Sequence, residues 1–282
     1  MFRKPMLLSV IFLGLFLTAC NGTKQQDSGN DSETKEIASD EQNNGKNDAE
    51  NQTANTPAQI FEKAEVPVLC YHRIGDGLKG DYAVSPATFD AHMKILADSG
   101  YHSILPEQLY DYLVFNKALV DKPVMISFDD SRIEHTEIAA RVMEKYGFRG
   151  VFFIMTITYN KKNYMSTDQI HRLSEAGHTI GLHSWDHAMA TKYLEETDWQ
   201  KQVIEPKKKL EAIVGKPVEY WAYPNGVYNH QAAEQLSKHF KLSFILSTKR
   251  DSTQALQSVR RMIVPEWTSQ GLLKSMRRTF GK

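Results

Sequence analysis

Two histidines four residues apart bound the run His183-Ser184-Trp185-Asp186-His187, and two adjacent carboxylates, Asp129 and Asp130, follow Ser127-Phe128. A pair of imidazoles joined by one carboxylate from elsewhere in the chain holds a divalent ion and leaves positions open for water and substrate. Such an ion polarises a carbonyl and acidifies a bound water, which is hydrolytic chemistry. Neither signal decides alone. Ten histidines make chance spacings common, and an Asp pair at the end of a strand is often only a cap for the next helix. The same donor set also serves non-haem iron(II) oxygenases. What selects between these readings is whether the chain brings the groups to one place.

The elements that must do so are short apolar, β-branched runs alternating with helical patterns. Strands are predicted over 66–71, 124–128, 151–154, 179–183, 220–223 and 243–246, and helices near 85–99, 106–116, 134–146, 167–176, 196–214, 230–239 and 268–280. Ser85-Pro86 and Ser166 are helix-start signals, and Gly100, Gly147 and Gly177 fall where helices should stop. Strand–helix alternation predicts an α/β fold, a distorted (β/α) barrel of about seven parallel strands with its site at the strand C-terminal rim. That order disfavours the oxygenase reading. Asp129-Asp130, His183, His72 and Tyr223-Pro224-Asn225-Gly226 each follow a different strand, so four strands deliver polar residues to one rim.

The ends of the chain read differently. Arg3 and Lys4 precede 14 mostly apolar residues from Met6 to Ala19, shorter than the roughly 20 that span a bilayer as a helix. Residues 1–19 therefore read as a signal peptide, and Leu17-Thr18-Ala19-Cys20 resembles a bacterial lipobox in which Cys20 is lipidated. From 21 to 60 there are three Lys against eight Asp and Glu, with a single aromatic-free polar composition; residues 20–62 are expected to be a disordered tether. The catalytic domain is expected over 63–282, extracytoplasmic and anchored to the bacterial membrane by its lipid. Cys70, the only other cysteine, lies in a predicted strand and reads as a small core hydrophobe. With 34 Lys and Arg against 34 Asp and Glu, the chain lacks the basic surplus of a nucleic-acid binder.

In motif order and spacing the chain resembles the polysaccharide deacetylase superfamily of metal-dependent carbohydrate esterases. The resemblance is carried by Ser127-Phe128-Asp129-Asp130, His183-Ser184-Trp185-Asp186-His187 and Trp221-Ala222-Tyr223-Pro224-Asn225-Gly226. Leu69-Cys70-Tyr71-His72-Arg73-Ile74, Tyr82-Ala83-Val84-Ser85-Pro86 and Gly100-Tyr101-His102-Ser103-Ile104 look like its branch of secreted poly-β-1,6-N-acetylglucosamine N-deacetylases. The resemblance implies Asp129 as general base, Asp130, His183 and His187 as metal ligands, and zinc, with cobalt or nickel as alternatives. It implies an oxyanion donor at the Asn225 N–H; Tyr223, Asn225 and Trp185 are the candidate substrate contacts, Trp185 being either a groove wall or a packing residue. Many members take the leaving-group proton from a C-terminal histidine; 244–248 contains none, and His72 matches the N-terminal histidine that replaces it in the biofilm branch. Ser131 replaces a frequent glycine, Ala222 an arginine that orients the base, and Asn225 an aromatic.

The implied activity is removal of N-acetyl groups from an N-acetylglucosamine polysaccharide by a monomer. Peptidoglycan deacetylation, O-acetyl esterase activity and a catalytically silent carbohydrate-binding lipoprotein are the alternatives. His92, His135, His171, His230 and His239 read as solvated, His102 and His178 as structural, and Trp199, Trp221 and Trp267 as packing residues.

Overall fold

The structure, a computed structural model, describes residues 53–246 and 249–281. The predicted signal peptide, Cys20 and the tether as far as residue 52 lie outside the described residues. Among the described residues, eight parallel strands run in sequence through the main sheet: β1 (Val68–Tyr71), β2 (Pro123–Phe128), β3 (Val151–Ile154), β4 (Thr179–Leu182), β5 (Tyr220–Ala222), β6 (Leu242–Ile245), β7 (Val259–Arg260) and β8 (Met262–Ile263), with the two-residue strand His102–Ser103 paired to β2 beside them. They lie in the order β7-β6-β5-β4-β3-β2-β1-β8. The two edges are thus consecutive in the chain and separated only by Arg261. Its N–H donates to Ile245 O on β6, while Met262 pairs with Leu69 on β1. The sheet is nearly closed into a distorted (β/α) barrel. This is the barrel of about seven parallel strands expected from the sequence; β7 and β8, two residues each, are too short to show a periodic pattern.

Helices wrap the sheet, and their starts are built from the predicted caps. Ser85 Oγ accepts from Thr88 N at 3.1 Å and Pro86 opens the helix Pro86–Asp98. Ser166 and Gln169 cap Thr167–Glu175 reciprocally. The helical patterns at 134–146 and 196–214 each contain a π-type turn, His135–Ala139 and Gln200–Ile204. The polar tether, expected to run to residue 62, ends sooner. Pro57–Glu62 is helical, capped by Thr56, and buries Ile60 among Val66, Val68, Leu109 and Leu113. One apolar residue in a polar stretch suffices to dock it, which composition averaging hides.

Because side chains alternate across a strand, each strand serves two layers. Leu69, Tyr71, Ile126, Phe128, Phe152, Ile154, Leu182, Trp221 and Tyr223 join the packing with the helices. Val68, Met125, Val151, Phe153, Tyr220, Ala222 and Phe244 share a second cluster, the barrel interior. By the same alternation Cys70 and His72 on β1, Ser127 and Asp129 on β2, and Gly181 and His183 on β4 fall on the interior side. Gly181 is needed there: a Cβ on it would lie 2.5 Å from the Phe153 ring.

Candidate active site

Each candidate ligand stands one or two residues past a strand end or in the loop behind it. His183 directly follows β4 and is buried; its Nδ1–H donates to Ala222 O at 2.7 Å. That bond commits Nδ1 and leaves Nε2 as the free lone pair, the orientation by which a backbone carbonyl fixes a metal-binding imidazole. Burial lowers the His183 pKa, against the pull of Asp129 and Asp130, so the ring is neutral, as a ligand must be. Asp130 and His187 both adopt positive φ, 72° each, and the His187 N–H donates to Ser184 Oγ at 2.8 Å. These turns fold the side chains back over the rim. Asp130 Oδ1 lies 3.7 Å from His183 Nε2 and 3.6 Å from His187 Nε2. The three ligand atoms lie within 4.8 Å of one another. Two imidazole nitrogens and one carboxylate oxygen facing a common point suit a divalent ion such as zinc, so the donor set fits the metal that the motif resemblance implies.

Asp129 is 1% exposed and carries a different set of contacts. Arg261 Nη1 donates to Oδ1 at 2.7 Å and Nη2 to Oδ2 at 2.8 Å, a bidentate pair. Burial on its own would raise the Asp129 pKa, but the Arg261 charge, with His183, holds the carboxyl well below the usual carboxylate range. Asp129 is therefore an acceptor at every physiological pH. His72 faces it, with Nε2 3.8 Å from Asp129 Oδ2; its pKa is lowered by burial, partly offset by Asp129 and Asp130. On the same rim, past the end of β5, Tyr223–Gly226 forms a tight turn with Asn225 exposed at φ 59°. The bonds that close the turn come from the N–H groups of Gly226 and Val227, not from that of Asn225.

Comparison with known proteins agrees with this arrangement. Residues 116–241 match the family model for polysaccharide deacetylase. The chain contains a polysaccharide deacetylase domain. It is 28% identical over 175 residues to the polysaccharide-deacetylase relative YxkH of Bacillus subtilis (strain 168), a match spanning 62% of this chain and 62% of the length of that relative. Among solved structures, a polysaccharide deacetylase from Bacillus cereus superposes with a TM-score of 0.66 at 27% identity, over 75% of this chain and 69% of that one. The Streptococcus pyogenes deacetylase PplD in complex with acetate superposes at 0.69 with 22% identity, over 75% of this chain and 98% of that one.

Several residues of the deacetylase domain stand otherwise than expected. Tyr223, anticipated at the substrate, is fully buried among the helix-facing side chains, and its N–H donates to Phe244 O. Alternation along β5 turns Ala222 into the barrel and Tyr223 away from it. Trp185 is half-buried, with Lys201 Nζ 4.5 Å over its ring, at the loop between His183 and His187. Ser131 adopts the left-handed conformation that favours glycine, at φ 56°, and its Oγ accepts the Met155 N–H at 2.7 Å. His92 and His135 are fully buried rather than solvated. His92 Nε2 donates to Trp267 O at 2.8 Å, and its Nδ1 accepts from Tyr71 Oη. His135 Nε2 donates to His72 O at 2.6 Å, fixing the main chain under His72.

Two contributors to the site were not singled out from the sequence. Arg261 pairs with Asp129, whereas the resemblance would put an arginine at position 222; its only trace was the pair Arg260-Arg261 inside the otherwise apolar run 259–264. Cys70, read as a core hydrophobe, has Sγ 3.6 Å from Asp129 Oδ2 and 3.8 Å from His72 Nδ1.

Proposed function

We propose that this protein is a metal-dependent hydrolase that removes N-acetyl groups from an N-acetylglucosamine polysaccharide, poly-β-1,6-N-acetylglucosamine being the favoured polymer. The observation that carries the reading is the placement of Asp129 and His72, an ionised acceptor and a titratable imidazole, beside the Asp130–His183–His187 triad. A divalent ion held by that triad supplies Lewis-acid polarisation of the acetyl carbonyl and an acidified water. Asp129 accepts a proton from the attacking water at a carboxylate oxygen. The Asn225 N–H is assigned as the donor to the developing oxyanion, the role that the motif resemblance gives it. The proton held by Asp129 passes to His72 Nε2, which delivers it to the amine nitrogen as the C–N bond breaks. Water, acetate and amine balance over the cycle.

The favoured polymer is supported by the position of His72 at the end of β1, the place that the resemblance assigns to the acid in the biofilm branch. Residues 1–20 support an extracytoplasmic, lipid-anchored location. The test is acetate release from poly-β-1,6-N-acetylglucosamine oligomers, peptidoglycan fragments and an O-acetylated polymer, with chelator and after adding Zn²⁺ or Co²⁺. Chelator-sensitive, metal-restored release from the first alone is expected. Release from peptidoglycan instead would move the substrate to the wall, and silence on all three with metal bound would sink the enzymatic reading.

A further inference from the structure

Cys70 and His72 are two residues apart on one strand and so project to the same side. The paired register Cys70↔Ser127 places Ser127 and Asp129 on the matching side of the neighbouring strand. The thiol thereby enters the site from below, between the base and the acid. Sγ is 3.6 Å from Asp129 Oδ2 and 3.8 Å from His72 Nδ1, both within reach of a sulfur hydrogen bond.

The direction of each bond follows from its partner. Ionised Asp129 only accepts, so the S–H hydrogen points at Oδ2. The sulfur lone pairs then face Nδ1, which completes the contact only by carrying a hydrogen itself. The alternative, that Cys70, His72 and Asp129 gather a second cation, is opposed by Arg261. Its guanidinium already occupies both Asp129 oxygens and presents positive charge at that point. Of the other neighbours of His72, His135 holds its carbonyl and Tyr82 meets the ring edge-on at a centroid distance of 4.9 Å, while Asp129 Oδ2 stands 3.8 Å from Nε2, too far for a hydrogen bond that would draw the hydrogen to that nitrogen.

We infer that Cys70 is a positioning residue: its thiol fixes the His72 imidazole as the Nδ1–H tautomer, so that Nε2 is the nitrogen offered to the leaving amine. The inference rests on the proposed roles of Asp129 and His72, and it assigns to the thiol a function beyond filling the core. A methyl group in its place fills most of the volume and makes neither bond. A hydroxyl offers the same donor and acceptor on a shorter bond, and restores both contacts by a small approach of β1.

The test is nitrogen-15 NMR of the full chain, Zn²⁺-loaded and labelled at histidine, with His72 assigned by its loss in His72→Gln. The parent should show the Nδ1–H pattern at His72, Cys70→Ser should keep it, and Cys70→Ala should shift it towards the Nε2–H pattern. In acetate release, Cys70→Ala should lose about fivefold in kcat with KM unchanged, and Cys70→Ser should recover to within about twofold of the parent. An unchanged His72 pattern in Cys70→Ala overturns the inference. So does a thiolate-to-cobalt charge-transfer band in the Co²⁺-loaded parent that Cys70→Ser removes, since sulfur would then be a ligand. A sulfur-dependent tautomer without acetate release from any polymer upholds the inference and refutes the proposed activity.

Discussion

Arg261 and Asp129, 132 residues apart, meet in two parallel hydrogen bonds of 2.7 and 2.8 Å inside the barrel. Arg261 is the single residue between the two edge strands, and its guanidinium lies 5.3 Å from the centre of the Phe153 ring. Closing the sheet and orienting the proposed base are therefore one event. Arg261→Lys keeps the charge and loses the fork; acetate release should fall at least about tenfold with metal content unchanged. Arg261→Met leaves a buried carboxylate unpaired and should cost about 3–5 kcal/mol in urea unfolding. Stability equal to the parent would show that Asp129 does not depend on this partner.

Asp129→Asn preserves shape but replaces an acceptor oxygen by a donor. Turnover should fall by about 10²–10⁴, while metal content measured by elemental analysis stays at the parent level. Full activity would remove Asp129 as the base.

The two histidines of the triad should separate in their effects. The His187 side chain is 34% exposed and that of His183 1%. His187→Ala should weaken metal binding at least about 100-fold, more than typical losses of an outer partner, with little change in stability. His183→Ala should weaken binding similarly and also destabilise the fold, because it opens a buried gap and leaves Ala222 O unpaired. Chelator titration with parallel thermal melts reads both, and unchanged affinity in either variant would refute its assignment as a ligand.

The turn that presents Asn225 depends on Gly226. Its φ is 66°, and a Cβ there would lie 2.2 Å from Leu246 Cβ and 2.6 Å from Leu246 N. Gly226→Ala must push the turn out of place, so kcat should fall by about 100-fold if the Asn225 N–H serves the oxyanion. Metal binding should survive, since the ligands stand on other strands. Retained turnover would sever the turn from the chemistry.

Stability should fall in mild acid. Burial lowers the His135 pKa to about 4, despite its bond to His72 O, from about 6.5 in the unfolded chain. The folded state thus binds fewer protons than the unfolded state in that window. Its stabilisation is complete above pH 6.5 and is lost as pH falls towards 4, by about 3 kcal/mol for this group. Urea midpoints at pH 7 and pH 4.5 should show the decline, and His135→Gln should flatten it. A parent midpoint independent of pH across this range would contradict the burial assigned to His135.

The sequence by itself determined the element order, six of the eight main strands to within two residues, and the helix caps. Each depends on contacts a few residues long, such as Ser85 with Thr88 or the alternation along 124–128. It also determined that Asp129, Asp130, His183 and His187 stand at strand ends, because motif and strand end are neighbours in the chain. Only the tertiary structure decided which strand face looks inward. These strands are apolar on both faces, so alternation alone could not tell the outward Tyr223 from the inward Ala222. Nor could local spacing bring Arg261 to Asp129 or Cys70 between Asp129 and His72. Those contacts exist because the sheet curves until its two ends are consecutive residues, and that curvature belongs to the assembled barrel.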